Sequence, residues 1–211
     1  MMAALASSRP TVATYERLAT GYDRTHSLWL RHAGGEAQSA LEAATRVALR
    51  PGMRLLDAGC GTGAFVRRLL HQTGNAIDVT VLDPSRAMLA RCGDIRARQI
   101  LGRLETLPLP DCSFDIVTCA WALETTADPE RAIAEMRRVV KQGGILCLAF
   151  CTDRPAGGVA PWLLRQAIER GKTGRFLPSE SVELAVARNA EFATCWLPCR
   201  GPAAALFARK R

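Results

Sequence analysis

The sequence predicts an α/β domain built on a doubly wound, largely parallel sheet, and three observations carry that expectation. An apolar strand end, Leu55-Leu56-Asp57-Ala58, turns through Gly59-Cys60-Gly61-Thr62-Gly63 into an apolar-periodic helix marked by Ala64, Phe65, Leu69 and Leu70. A second strand-like run, residues 78–82, ends at Asp83 before Pro84, 20 residues after Gly63. Beyond it, strand-like and helix-like runs alternate along the chain, as they do in βαβ units.

The composition agrees. A chain of 211 residues can bury a full core, and 48% hydrophobic with 23% charged residues is ordinary for a globular protein. No run of about 18 apolar residues offers a membrane span. Residues 1–10 lack the charged start and apolar core of a signal peptide, so a cytoplasmic protein is expected. The net charge of +8 thickens toward the end (Arg165, Arg170, Lys172, Arg175, Arg200, Arg209, Lys210, Arg211). Alone it does not choose among nucleic acid, an anionic membrane surface and an acidic substrate. Eight cysteines in a reducing compartment are expected as free thiols, and the Cys147/Cys151 and Cys195/Cys199 pairs are spaced more widely than zinc loops, so no metal is expected.

In chain order, residues 11–31 read as a helical approach segment with Tyr15, Leu18, Ala19 and Tyr22 on one face, a stripe that serves either packing or a lid. His26 and His32 lie outside any motif and are expected at the surface or satisfied. Gly34-Gly35 is expected to break the segment before a second helix, residues 36–49, with Ala37, Leu41, Ala44 and Ala48 on one side; Pro51-Gly52 ends it. Residues 1–50 are thus expected as a helical cap and residues 51–211 as the main domain.

The glycine loop allows positive φ and lets a ligand lie against bare backbone N–H groups. Two ligand classes fit. Gly59-x-Gly61-x-x-Ala64 satisfies the dinucleotide fingerprint. Asp57, however, stands two residues before the first glycine, where a carboxylate repels a pyrophosphate and suits a cationic cofactor. Asp83 is placed either to accept both ribose hydroxyls or to cap the helix that Pro84 opens.

A short third strand spans residues 98–102, and a fourth spans 115–119. Ligands of doubly wound sheets sit outside the carboxyl ends of strands, so Ala120-Trp121-Ala122-Leu123-Glu124 should line the pocket, Trp121 being equally readable as core. Asp128-Pro129-Glu130 starts a helix that runs to residue 141, Gln142-Gly143-Gly144 stops it, and residues 145–150 form strand five. Residues 162–170 place Leu163, Leu164, Ala167 and Ile168 on one helical face and continue into a basic stretch, 171–177; the face either packs on the sheet or meets a membrane surface. A helix at 179–188 and strands at 191–197 and 203–209, joined by a Pro-Cys-Arg-Gly-Pro turn, complete the chain.

The Leu55-to-Gly63 text resembles the first motif of class I S-adenosylmethionine-dependent methyltransferases. The Tyr15…Tyr22-Asp23 pattern resembles the N-terminal cap that many of them fold over the cofactor; residues 102–117 resemble the stretch that contacts adenine and enters strand four; residues 128–150 resemble the helix-Gly-Gly-strand scaffold. The resemblance implies a Rossmann-like seven-stranded sheet in the order 3-2-1-4-5-7-6 with the last strand antiparallel. It implies S-adenosyl-L-methionine as cofactor, held by Asp57, Gly59, Cys60, Gly61, Gly63, Asp83, Pro84, Arg103, Leu104 and Cys119, with Tyr15, Tyr22, Trp121 and Glu124 around the transferred methyl group.

Two positions depart from the family. Arg103 stands where an Asp usually accepts the adenine N6 proton, and arginine accepts no hydrogen bond. Either another acceptor takes that role or cofactor affinity is lower. Glu124 replaces a common histidine, so no imidazole base is expected there. The motifs are closest to the ubiquinone/menaquinone methyltransferase-like group, which implies a small-molecule acceptor. Similarity to bacterial phospholipid (phosphatidylethanolamine) N-methyltransferases implies a lipid amine at the membrane surface as the alternative. A non-catalytic S-adenosylmethionine-binding partner or sensor is the alternative of another class. Nucleic acid is not expected as a substrate, since no Asn/Asp-Pro-Pro-Tyr type motif follows strand four and no recognition domain is appended.

Overall fold

Strands β1 (Arg54–Ala58), β2 (Asp78–Asp83), β3 (Arg98–Leu101), β4 (Phe114–Ala120), β5 (Val140–Cys151), β6 (Phe192–Leu197) and β7 (Ala203–Lys210) form one sheet in the order β3-β2-β1-β4-β5-β7-β6. The first five are mutually parallel where they pair, and β7 runs antiparallel to both β5 and β6. This is the expected order, with the last strand reversed. The computed structural model describes residues 8–73, 76–155, 157–171, 173–197 and 199–211. The readings that touch residues 1–7, Lys172 and Pro198 lie outside the described residues.

Side chains alternate across each strand, so the sheet builds a core on either face. Leu56, Val117, Leu146, Leu148 and Phe150 pack with Ile133 and Met136 of helix α6 (Pro129–Val139) and with Val182 and Val186 of α8 (Ser179–Ala187). Their neighbours Leu55, Ile116, Ile145, Cys147 and Ala149 pack on the other face with Leu41 of α3 (Gly35–Ala48) and with Phe65, Val66 and Leu69 of α4 (Ala64–Thr73). Cys147 is therefore a core residue, and all eight cysteines are free thiols.

The N-terminal approach segment is two helices, α1 (Ser8–Leu18) and α2 (Tyr22–Trp29). Gly34-Gly35 does not break the chain, contrary to expectation: Leu30–Gly34 form a π turn that carries α2 straight into α3. The glycine at 34 answers to packing, because a Cβ there would run into the rings of Trp29 and Trp121.

Asp128 caps α6, accepting from Arg131 N at 3.0 Å, with Pro129 in the first turn. That helix ends at Val139, earlier than expected, because Val140 already pairs with Phe114, and a register shift then absorbs the glycines before Ile145 pairs with Ile116. Helices α5 (Arg86–Ala90) and α7 (Val159–Gly171) complete the set. The carboxyl ends of β1, β2, β4 and β5 lie along one edge of the sheet, and α1 and α2 lie over that edge.

Candidate functional site

The loop after β1 folds back on β2. Gly59 N and Cys60 N both donate to Leu82 O (2.7 and 3.0 Å), Gly61 N donates to Asp83 Oδ2 (2.9 Å), and Gly63 N donates to Cys60 O (2.9 Å). These four amides are thus committed to the protein, which corrects the expectation of bare N–H groups waiting for a ligand at these positions. The glycines also differ in what they face. A Cβ on Gly59 would strike Ala122 and one on Gly63 would strike Ile95 and Cys92, so both are packing glycines. A Cβ on Gly61 would meet only Tyr22, at 3.8 Å, across the cavity. All three have positive φ.

Two buried carboxylates stand at this loop. Asp57, 2% exposed, accepts from Thr118 Oγ1 at 2.9 Å through Oδ1, and its Oδ2 has no partner. Burial pushes its carboxyl up to about 7 despite the Thr118 bond. Asp83 accepts from Gly61 N and Ser85 N, both at 2.9 Å, and burial pushes it up to about 6. It does not cap the next helix: Ser85 does, accepting from Met88 N. An unpartnered buried carboxylate oxygen beside a second carboxylate fits a cationic ligand such as S-adenosylmethionine, whose ammonium would satisfy it, and rejects a pyrophosphate.

Asp57, Gly59, Cys60, Gly61, Asp83, Pro84, Arg103 and Leu104 line one cavity together. Two members of the expected set lie elsewhere. Gly63 turns toward Cys92 and Ile95, and the side chain of Cys119 is fully buried in the core, leaving Ala120, Trp121 and Ala122 to form the wall at the end of β4. Beside Arg103 sits Glu105, whose Oε2 lies 3.8 Å from the guanidinium and whose Oε1 accepts from Ala127 N at 2.9 Å.

Helices α1 and α2 roof the cavity. Asp23 Oδ1 accepts from Thr62 Oγ1 of the loop (2.6 Å), and Glu16 accepts from the backbone amides of Arg86 (2.6 Å) and Ala87 (3.2 Å). The Tyr15 hydroxyl donates to Thr173 O at 3.0 Å, and its ring meets Tyr22 edge-on at 5.9 Å. Tyr22 stacks on His26 at 5.3 Å. His26 therefore lines the cavity, against the expectation of a surface or satisfied histidine. Burial holds its imidazole down at about 4, neutral at physiological pH. Trp121 donates to Gln38 Oε1 at 2.6 Å with φ at +59°, a conformation that costs on the order of 1–3 kcal/mol and turns the indole across the site.

A second cavity shares the Tyr15, Tyr22, His26, Trp121 and Thr125 walls and continues to Trp29, Ile168 and Glu124. Glu124 is 5% exposed; Oε1 accepts from Cys151 N at 3.3 Å and Oε2 has no N–H or O–H donor. Burial pushes this carboxyl up to about 7. His26, Gln38 and Glu105 escaped the reading of the sequence. Only His26 carried a usable signal, one helical turn after Tyr22 and hence on the same face.

Among the described residues no group of three or more His, Cys, Asp or Glu side chains is placed to hold a metal, and no helix is long and apolar enough to cross a membrane.

A family model described as "Methyltransferase domain" matches residues 56–148. The chain is 45% identical over 121 residues to the ubiquinone/menaquinone biosynthesis C-methyltransferase UbiE of Methylobacterium nodulans, a match covering 54% of this chain and 48% of that protein. It is 34% identical over 174 residues to the malonyl-acyl-carrier-protein O-methyltransferase of Pectobacterium atrosepticum, covering 81% of this chain and 64% of that protein. The chain thus spans about half to two thirds of the length of these curated relatives. A Thermotoga maritima S-adenosylmethionine-dependent methyltransferase, described as a possible histamine N-methyltransferase, superposes with a TM-score of 0.70 over 93% of this chain and 98% of its own at 23% identity, a likeness of fold. The sheet order and this superposition give the chain the fold of S-adenosylmethionine-dependent methyltransferases, and the methyltransferase-domain match over residues 56–148 takes in the glycine loop and its paired buried carboxylates.

Proposed function

We propose that this chain transfers a methyl group from S-adenosyl-L-methionine to a small-molecule acceptor. The observation that carries the reading is the pair of adjoining cavities with shared aromatic walls, one holding the glycine loop and two buried carboxylates and the other ending at Glu124. When bound, the cofactor supplies an electrophilic methyl group on a sulfonium. The residues then have three tasks. Asp57 Oδ2 takes up the ammonium and Asp83 the ribose hydroxyls. Glu105, rather than Arg103, accepts from the adenine amine, with the Leu104 backbone on the ring. Tyr15, Tyr22 and Trp121 exclude water and hold the acceptor in line. Residues 1–50 act as a cap whose helices α1 and α2 close over the site, latched by the Asp23–Thr62 and Glu16–Arg86 bonds. A cofactor sensor without catalysis has no use for the second cavity. Eight free thiols favour the cytoplasm.

Incubation with methyl-labelled cofactor and a panel of phenols, thiols, amines and activated carbon acids tests the reading. Label in at least one acceptor is expected, and none from any class, with cofactor bound, would leave only the sensor.

One observation favours contact with a membrane surface. Leu164 and Ile168 of α7 pack inward, whereas Val159 (75%), Trp162 (51%) and Leu163 (55%) are exposed together near Arg165 and Arg170. An interfacial tryptophan beside basic residues suits an anionic bilayer, where each cation contributes on the order of 1 kcal/mol. Flotation with anionic vesicles should retain the protein at low salt and release it at high salt; indifference at low salt would end this reading.

A further inference from the structure

The second cavity carries a chemistry of its own. Its walls are the rings of Tyr15, Tyr22, His26, Trp29 and Trp121, and among the described residues no lysine or arginine lines it. Its volume, about 150 Å³, is the room of one small ring. Into this apolar space the chain places Glu124, almost fully buried and beside the Cys151 thiol, with Oε1 accepting from Cys151 N and no N–H or O–H donor at Oε2.

A buried carboxylate oxygen with no donor is costly, and an evolved core would have filled the place with an apolar side chain or supplied a cation. Among the described residues no cation comes from the protein. His26 is held neutral by burial, and the two tyrosine hydroxyls are pushed above their ordinary range by burial, with the negative charge of Glu124 adding to the effect. Among the described residues the only formal charge available in the walls is that of Glu124. Aromatic faces attract cations through their quadrupoles and repel anions.

We infer that the second cavity is an ammonium site: the acceptor is an amine, bound as its cation by the free Glu124 Oε2 and the faces of the surrounding aromatic rings. The inference deepens the proposed function and rests on it for the word acceptor. It also gives Glu124 its task. An ammonium has no lone pair with which to act as a nucleophile. When an N–H bond breaks, its electron pair stays on nitrogen and the proton passes to Glu124 Oε2, which holds it as a carboxylic acid. A carboxylate acceptor would be repelled, and a neutral alcohol or phenol would gain nothing from the charge.

The test uses the full chain loaded with S-adenosylhomocysteine, and its readout is binding, followed by calorimetry and by the fluorescence of the tryptophans in the wall. Benzylamine, protonated at neutral pH, is compared with benzyl alcohol of the same shape and with benzoate. Benzylamine is expected to bind at least about tenfold more tightly than benzyl alcohol, with benzoate weakest. Glu124→Gln, which keeps an acceptor for Cys151 N, should abolish the preference and leave the homocysteine nucleoside bound as before. Equal affinity for amine and alcohol, a preference that survives Glu124→Gln, or no benzylamine binding up to about 10 mM would overturn the inference. Failure of the nucleoside to bind would instead count against the proposed function, since benzylamine on the free protein still reads the second cavity.

A soluble amine and a lipid amine headgroup share this chemistry. Competition with benzylamine by phosphatidylethanolamine vesicles but not by phosphatidylglycerol vesicles places the amine on a membrane; no competition by either places it in solution.

Discussion

At the scale of single residues, Asp83 and Gly61 both couple ligand binding to folding. Asp83 holds the amides of Gly61 and Ser85 as well as facing the cavity. Asp83→Ala should therefore weaken S-adenosylhomocysteine about 10- to 150-fold, the worth of a charge-assisted bond of about 1.5–3 kcal/mol. It should also lower the melting temperature by orphaning two amides; an unchanged dissociation constant would remove Asp83 from the ligand. Gly61→Val points a side chain into the cavity and should abolish binding, and at φ +54° its β-branched side chain also strains the backbone and lowers the melting temperature. Gly63→Ala, whose methyl would meet Cys92 Sγ at 2.9 Å as well as Ile95, should destabilise the fold. Thermal melts with and without ligand distinguish the two.

Three carboxyls, Asp57 and Glu124 at about 7 and Asp83 at about 6, keep protons in the folded chain that the unfolded chain releases near pH 4. Their stabilisation is fully present below about pH 4 and is lost as pH rises through 6 to 7. His26, neutral in the fold down to about 4, acts in the opposite sense between about pH 4 and 6.5, one group against three. The melting temperature of the free protein should fall between about pH 5 and 7.5, and less so in Asp57→Asn; a rise across that range in the parent chain would contradict the burial argument.

Asp57 and Asp83 were legible in the sequence because each is fixed by its own strand end and its distance from the glycines. Gln38, Glu105 and His26 were not. Gln38 and Glu105 reach the site only through the fold, whereas the spacing of His26 from Tyr22 put the two on one helical face without showing that this face looks into a cavity.

At the scale of elements, the central strands were legible from apolar runs bounded by turn residues, since a doubly wound sheet buries both faces of its inner strands, whereas the edge strand β3 is mostly exposed. The misreadings occur where tertiary packing overrides local propensity. Gly34-Gly35 has the look of a helix stop, yet the chain stays helical through a π turn because Trp29 and Trp121 need the volume that a side chain at 34 would take. Gly34→Ala should cost about 1–3 kcal/mol, or roughly 2–4 °C of melting temperature per kcal/mol for a chain of this size, with a change in tryptophan emission. An unchanged melt would show that the turn has room the packing denies. In α7 the apolar residues expected on one face divide between two, Leu164 and Ile168 inward and Leu163 and Ala167 outward. Heptad-like spacing alone could not assign which pair the sheet would take.

At the scale of the whole molecule, the sheet order puts the ends of β1, β2 and β4 side by side, and three segments far apart in sequence thereby meet: the glycine loop, Asp83 and Trp121. That convergence is what the family resemblance implied and what no local pattern could supply. The second cavity was not legible at all, because it exists only once α1 and α2 lie across β4 and α7. The central claim is that the paired carboxylates make this loop a site for a cationic nucleoside rather than for a dinucleotide. Isothermal titration of the full chain with S-adenosylhomocysteine and, separately, with NAD tests it most directly. Saturable binding of the homocysteine nucleoside at one site, weakened in Asp57→Asn, with NAD at least about a hundredfold weaker, is the predicted result; NAD binding as tightly as the nucleoside, or an Asp57→Asn variant that binds as well as the parent, would contradict it.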